Sequence, residues 1–271
     1  MPPPAPTPLP VSVGGGRLVL FGGSFDPPHR AHLFFARFLL AHRPEAVLLM
    51  VPAARSPHKI AGPWASPELR CRMLGLGLGD VGLPVHGVGN GPTRVGIWTD
   101  ELDRGEGDEP SYWVDTLRRA RSLVPPEVSL SFVMGSDQLA AFAHWREPHE
   151  ILRLASPIVL VRGGGGVEDG VEVDEALVER LLEPIRHPPA AMPAGDQRAT
   201  WSAHEEALFK GGLLIGQPTM AVSSTRIREM LRTNPESPDL DQMLTPSVLA
   251  LLRVENPYAE ARPARRTDPA F

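Results

Sequence analysis

Short, almost unbroken apolar runs alternate with helical patterns along this chain, and that alternation constrains its fold more than any other feature. Arg17–Gly23 (RLVLFGG), Ala46–Ala53 (AVLLMVPA) and Val128–Asp137 (VSLSFVMGSD) carry apolar side chains at consecutive positions. A strand with one wet face alternates apolar and polar residues, whereas a continuous run suits a strand buried on both faces. Helical stretches separate the runs. His29–Arg43 carries Leu33, Phe34, Ala36, Phe38, Leu39 and Leu40, which are expected to face a sheet. SPELRCRMLGLGLGD opens with Ser66 as a cap, Pro67 at the first helical position and Glu68 in the first turn, although Gly75, Gly77 and Gly79 weaken it. PSYWVDTLRRARSL begins at Pro110 and reads as a third helix. The pattern predicts an α/β protein with a parallel sheet covered on both faces.

Further strands are expected at Leu83–Gly89 (LPVHGVG), Ser156–Gly166 (SPIVLVRGGGG) and Gly211–Gln217 (GGLLIGQ). Further helices are expected at Trp145–Ala155, Val173–Ile185, Ser223–Arg232 and Thr245–Val254. A chain of 271 residues can bury a substantial core. Residues 17–254 read as one domain, with 163–200 as an insertion of mixed glycine, acidic and proline-rich character. The start, MPPPAPTPLP, predicts an extended, disordered arm over residues 1–16, and 255–271 reads as a polar tail that frays.

The net charge of −5 argues against a general nucleic-acid binder. Cys71 is the single cysteine, so neither an internal disulfide nor a cysteine-based zinc site is available. No secretory pattern opens the chain, and no run approaches the ~18 apolar residues of a membrane span. A soluble cytoplasmic protein is expected; a homo-oligomer is left open.

Function in such folds gathers at the C-terminal ends of the strands. LFGGSFDPPHRAH, from Leu20 to His32, lies at such an end. Gly22 and Gly23 let a backbone approach a ligand closely, and Pro27 and Pro28 stiffen the turn. His29 and His32 stand three residues apart near a helix N-terminus, where unsatisfied N–H groups favour phosphate. Taken alone, the pair is equally compatible with a turn residue and a helix-surface residue. Two histidines at this spacing do not complete a zinc site, so no metal centre is expected. GGSFDP lacks the spacing of a nucleotide-binding GxGxxG, and the P-loop pattern is absent from the chain.

Other segments join this one. GGSFDPPHRAH resembles GGSFDPPHxGH, the signature of the nucleotidyltransferase superfamily and particularly of bacterial nicotinate-nucleotide adenylyltransferases. VPAARSPHK (Val51–Lys59) is similar to that family's strand-end loop closing in Pro-His-Lys, and PSYWVDTL (Pro110–Leu117) to its PSYTVDTL. MGSDQLAAFAHWREPHEIL resembles GADxLxxLPxWxxxxEIL, and VSSTRIREML (Val222–Leu231) resembles ISSTxIRxxL. Five motifs in order, from about Arg17 to Tyr258, are far more specific than one.

The resemblance implies a Rossmann-like doubly wound sheet of nucleotidyltransferase type with a helical C-terminal region. It implies transfer of AMP from ATP to nicotinate mononucleotide, with deamido-NAD and pyrophosphate as products. His29, His32 and Arg228 would be the catalytic donors. Gly22, Gly23, Ser24, Phe25, Lys59, Gly135, Asp137, Ser223, Ser224 and Thr225 would bind ATP and its phosphates. Ser111, Tyr112, Trp113 and Trp145 would bind nicotinate mononucleotide, Trp145 by stacking on the pyridine ring. Mg²⁺ would arrive with ATP, held mostly by phosphate and water. The chain departs from the family pattern at Ala31, where glycine is usual, and at Trp113, where threonine is usual. Rival readings are nicotinamide mononucleotide or pantetheine phosphate as acceptor, or a nucleotide-binding regulator without catalysis.

Overall fold

The computed structural model describes residues 4–55, 62–85, 93–104, 110–160, 175–186, 201–214 and 222–259. Among these described residues six strands run β1 (Arg17–Gly23), β2 (Ala46–Pro52), β3 (Val95–Ile97), β4 (Ser129–Gly135), β5 (Ser156–Leu160) and β6 (Leu213–Leu214). The helices are α1 (Arg30–His42), α2 (Pro67–Asp80), α3 (Asp100–Arg104), α4 (Trp113–Ser122), α5 (Leu139–Phe142), α6 (Pro148–Leu154), α7 (Glu175–Arg186), α8 (Ala203–Gly212), α9 (Ser224–Thr233), α10 (Asp239–Met243) and α11 (Pro246–Val254).

All strand pairs are parallel, in the order β3-β2-β1-β4-β5-β6. This is the doubly wound order, whose direction of winding reverses between β1 and β4. Leu20 of β1 lies between Leu49 of β2 and Phe132 of β4. Successive residues of β1 enter opposite cores. Leu18 and Leu20 join Leu49, Phe132 and the α4 side, while Val19 and Phe21 join Leu48, Met50 and the α1 side. Both faces are covered, which explains why the run is apolar at every position. A third cluster forms where Ile227, Leu231, Leu240, Val248, Leu252 and Tyr258 pack with Met73.

The expected caps are present: Ser66 Oγ accepts from Leu69 N–H at 3.2 Å, and Ser223 Oγ from Arg226 N–H at 3.2 Å. Several expectations need correction. In α1 the buried set is Leu33, Phe35, Ala36, Leu39 and Leu40. Phe34 is half-buried against the same core with the Arg30 guanidinium over its ring, and the Phe38 ring lies tilted against His42. The edge strand is Val95–Ile97, not Leu83–Gly89: residues 83–85 are not a strand, and 86–89 lie outside the described residues. Three residues are too few to show periodicity, and Val95 gains its strand conformation by pairing with Leu48. Of the expected last strand, Leu213 and Leu214 pair with β5, and 215–217 lie outside the described residues.

Helix α7 falls within the 163–200 segment, the rest of which lies outside the described residues. Its Val178, Leu182 and Ile185 enter the same core as Phe209 of α8. The N-terminal segment is not a free arm over its described part. Thr7 N–H donates to Asp100 Oδ1 at 2.8 Å, Trp98 Nε1–H donates to the Thr7 carbonyl at 2.9 Å, and Arg119 reaches the Pro4 and Ala5 carbonyls. Leu9, Val11 and Val13 add apolar contact to the α4-side core, which composition alone hides. Over its described part, 255–259, the tail does not fray, since Tyr258 is fully buried; 260–271 lie outside the described residues.

Candidate active site

The turn after β1 is built from below. Gly22 and Gly23 end the strand, and the Gly23 carbonyl accepts from Ala53 N–H at 2.9 Å. Phe25 follows with a left-handed backbone, φ 47°. Its ring turns into the core, edge-on to Phe21 at 5.7 Å and to His32 at 5.2 Å. A Cβ at position 23 would meet that ring at 3.0 Å, so any larger residue there would push the ring aside. The Phe25 side chain therefore supports the turn from beneath, so the binding role expected of this position falls to its backbone.

Asp26 is buried behind the turn. Its Oδ2 accepts from Trp64 N–H at 2.7 Å, and its Oδ1 from Ala65 N–H at 3.1 Å and the Tyr258 hydroxyl at 2.8 Å. Arg70, also buried, donates through Nη1 to the Ser24 and Ala53 carbonyls, each at 2.8 Å. Burial pushes the Arg70 pKa down, and the charge of Asp26 opposes that shift. Arg228 donates to the Asp26 carbonyl at 2.7 Å and to Thr225 Oγ1 at 3.2 Å, and Ser224 Oγ donates to the Pro27 carbonyl at 3.0 Å. The N-terminal turn of α9 thus docks on the same turn, bringing Arg228, Ser224 and Thr225 beside it. Ser223 serves as the α9 cap. Asp26, Arg70 and Tyr258 were not legible as site residues; each acts from beneath.

His29 and His32 stack with ring centroids 3.7 Å apart and planes 21° apart. The His29 N–H donates to His32 Nδ1 at 3.3 Å. An accepting Nδ1 places the proton of the neutral His32 ring on Nε2, so the ring is a donor without needing a charge. The pair stands at the start of α1, whose first N–H groups point the same way.

Next to this turn lies a cleft of about 240 Å³. Gly22, Gly23, Ser24, Ser111, Tyr112, Trp113 and Trp145, all expected site residues, line it together. Val133 and Gln138 line it from the β4 end, so the cleft sits where the winding reverses. Gly135 ends β4, and its N–H donates to Gln138 Oε1 at 3.2 Å. Asp137 is exposed in the short turn that follows and does not line the cleft. Lys59 lies outside the described residues. Among the described residues no group of three His, Cys, Asp or Glu could hold a metal ion.

The indole of Trp113 covers Gly22 closely: a Cβ at position 22 would lie 2.7 Å from the ring. The residue that departs from the family pattern thus depends on the glycine opposite. Trp145 packs on Phe142 at 5.1 Å and on Phe132 at 6.5 Å. Ser111 is held through its N–H on the Arg55 carbonyl at 3.0 Å and through Oγ on Glu101 Oε2 at 2.6 Å. Glu101, 3 % exposed, also accepts from Thr116 Oγ1 at 2.6 Å. Burial pushes the Glu101 pKa up, against the pull of those hydrogen bonds.

The chain between Trp145 and Pro148 is shaped by an unusual residue. Glu147 has φ 52° and ψ 56°, a left-handed conformation that costs a non-glycine residue about 1–3 kcal/mol. The following proline disfavours the right-handed alternative. Arg118 of α4 binds both Glu147 carboxylate oxygens and holds its pKa low. The preceding Arg146 lies over the Tyr112 ring, 4.6 Å from its centroid, and lines the cleft. Neither Glu101 nor Arg146 carried a sequence signal, since a charged residue in a helix or loop is ordinarily solvated.

Residues 20–230 match the model of the cytidylyltransferase-like family. A protein of Chromobacterium violaceum described as a "probable nicotinate-nucleotide adenylyltransferase" is 28% identical over 248 residues, 89% of this chain and 98% of that protein. One of Chromohalobacter salexigens with the same description is 32% identical over 217 residues, 80% of this chain and 85% of that protein. The fold is similar to that of the nicotinic acid mononucleotide adenylyltransferase of Plasmodium falciparum, solved with NaAD. That match has a TM-score of 0.56 and 17% identity over 90% of this chain and 97% of that one. No helix among the described residues is long and apolar enough to cross a membrane. With a family model over most of its length and relatives matched nearly end to end, the chain belongs to the cytidylyltransferase-like family and, within it, to the nicotinate-nucleotide adenylyltransferases.

Proposed function

We propose that the chain transfers AMP from ATP to nicotinate mononucleotide, forming deamido-NAD and pyrophosphate. The observation that carries this reading is one cleft at the switch point that unites Gly22, Ser111, Tyr112, Trp113 and Trp145. It opens beside the turn bearing the stacked histidines. Aromatic walls suit a pyridine ring, and a helix start with imidazole donors suits phosphates. The names of the curated relatives agree with it.

In this reaction a 5′-phosphate oxygen of nicotinate mononucleotide attacks the α-phosphorus of ATP. One P–O bond forms, the bond from the α-phosphorus to the bridging oxygen breaks, and its electron pair leaves with pyrophosphate. The attacking oxygen is already ionised at neutral pH, so no general base is required. Catalysis rests on placing the two phosphates in line and on stabilising spreading negative charge. His32 offers Nε2–H, and Arg228, anchored on the Asp26 carbonyl, offers a cation fixed to the same turn. His29 holds the His32 ring by stacking. Ser223 and Thr225 bring hydroxyls to the α9 start, and Lys59 would add a point charge. ATP enters as its magnesium complex, the ion held by phosphate and water.

A pyrophosphate-release assay with ATP and, separately, nicotinate mononucleotide, nicotinamide mononucleotide and pantetheine phosphate tests the proposal. Turnover is expected with nicotinate mononucleotide at a kcat/KM well above the other two. A preference for another acceptor reassigns the substrate, and turnover with none supports a regulator.

A further inference from the structure

Helix α3 is five residues long, too short to keep its place by its own hydrogen bonds. Its partners set its position. From α4, the Arg119 guanidinium grips the fully buried Asp100 through Nε and Nη2, at 2.7 Å each, and Thr116 Oγ1 accepts from Arg104. The N-terminal segment supplies the rest. Thr7 N–H donates to Asp100 Oδ1 at 2.8 Å and Thr7 Oγ1 to Asp103 Oδ2 at 2.6 Å, while the Thr7 carbonyl accepts from Trp98 Nε1–H at 2.9 Å. One residue near the start of the chain thus holds both α3 and the stretch that leads into it.

The segment is seated along its length. Arg119 also donates to the Pro4 and Ala5 carbonyls, at 2.7 and 2.9 Å, so one guanidinium joins the segment to Asp100. A Cβ at Gly96 of β3 would lie 2.7 Å from Pro10 and 3.3 Å from Val11. Prolines at 4, 6, 8 and 10 restrict the free segment, which lowers the entropy it loses on docking.

Helix α3 carries this arrangement into the cleft. Glu101, beside Asp100, lines the cleft and accepts from Ser111 Oγ and Thr116 Oγ1 at 2.6 Å each. Ser111, Tyr112 and Trp113 follow one another on the cleft wall. A shift of α3 by about 1 Å would carry that carboxylate and the wall it anchors with it, a displacement to which substrate positioning is sensitive.

We infer that residues 4–11 are a positioning element of the active site: seated on α3 they fix Asp100, and through the adjacent Glu101 they fix the Ser111–Trp113 wall that receives the acceptor. The inference rests on the reaction proposed above. When the segment is released, Asp100 loses the Thr7 N–H, α3 loses part of its support, and acceptor binding weakens. The turn bearing His29 and His32, held by Asp26 and Arg70, keeps its geometry. Coupling carried by such a network changes affinity roughly two- to thirtyfold.

Thr7→Asp in the full chain tests this, because it sets a carboxylate against Asp100 and Asp103 and should unseat the segment. Hydrogen exchange is expected to show the amides of residues 5–13 losing protection. Pyrophosphate release is expected to show a KM for nicotinate mononucleotide raised roughly two- to thirtyfold, with the KM for ATP unchanged. Thr7→Ser keeps both donors and should match the wild type. In a Glu101→Gln background Thr7→Asp should raise the acceptor KM by less than about twofold, since the route is already broken. A released segment with a wild-type acceptor KM overturns the inference. An equal rise in both KM values, which marks general loosening, also overturns it, as does an undiminished effect in Glu101→Gln. Undiminished protection in Thr7→Asp denies that Thr7 holds the segment and overturns it too. If the wild type does not turn over nicotinate mononucleotide, the reaction itself is wrong and the inference falls with it; if it does and Thr7→Asp keeps the wild-type acceptor KM, only the inference fails.

Discussion

Replacing Tyr258 with phenylalanine isolates one buried contact and makes a quantitative demand on this structure. The hydroxyl donates to Asp26 Oδ1 at 2.8 Å, across 232 residues of sequence. The ring itself is fully buried in the C-terminal cluster and is kept by the substitution. The change therefore removes one hydrogen bond to a carboxylate and nothing else of size. Such a bond contributes about 1.5–3 kcal/mol, and at ~2–4 °C per kcal/mol the expected loss in Tm is roughly 3–12 °C. Both partners are buried, Tyr258 fully and Asp26 to 2 % exposure, which places the value toward the upper half.

The pH dependence follows from the same contact. Burial, then the charge of Asp26, pushes the Tyr258 pKa well above its ordinary value. A raised folded-state pKa gives stability that is fully present below the unfolded value, about 10 for tyrosine, and lost as pH rises beyond it. The Tm difference between the wild type and Tyr258→Phe should be flat from pH 6 to 9 and narrow above about pH 10. Urea or thermal unfolding followed by circular dichroism measures both. A difference below about 0.5 kcal/mol, or a gap that widens above pH 10, would show that Asp26 does not depend on this hydroxyl.

Two further outcomes concern the site. His32→Ala is expected to fold with a near wild-type Tm and lose roughly 10²–10³ in kcat for pyrophosphate release, by analogy with the loss of an oxyanion donor; wild-type turnover would remove His32 from the reaction. Gly22→Ala places a methyl 2.7 Å from the Trp113 ring and should displace it, cutting kcat/KM by about tenfold or more. In a Trp113→Thr background the same methyl should cost much less, and an identical cost in both backgrounds would deny the contact.

How much of this was legible before the structure depends on where the physical signal lies. The β1, β2 and β4 runs announced themselves because both faces of each are buried, as Val19 and Leu20 show by entering opposite cores. The cleft residues Ser111, Tyr112, Trp113 and Trp145 were found through motifs, and they do meet. The edge strand Val95–Ile97 was missed because its conformation comes from pairing with β2 and three residues have no period. At Phe25 the motif marked the position without saying which way the side chain turns, and its ring is buried. Asp26, Arg70 and Tyr258 were invisible as a group, since their link is made only by folding and nothing local in the sequence couples positions so far apart. Glu101 and Arg146 look like any surface charge until the chain places them in a cleft.

The docked N-terminal segment has a consequence for how the domain behaves as a binding surface. Pro10 and Val11 lie against the position of Gly96 on β3, and Thr7 is tethered to Trp98 and Asp100. The sheet is therefore finished on this side by a peptide ligand that the chain carries on a tether. Tethering presents such a peptide at an effective concentration on the order of millimolar, so contacts too weak to hold a separate peptide suffice to keep it seated. Its prolines lack the N–H donors that would let it extend a sheet, which confines it to covering a face. The segment is a built-in tenant of a groove next to Asp100, and Asp100 directly precedes the carboxylate that holds Ser111 in the cleft.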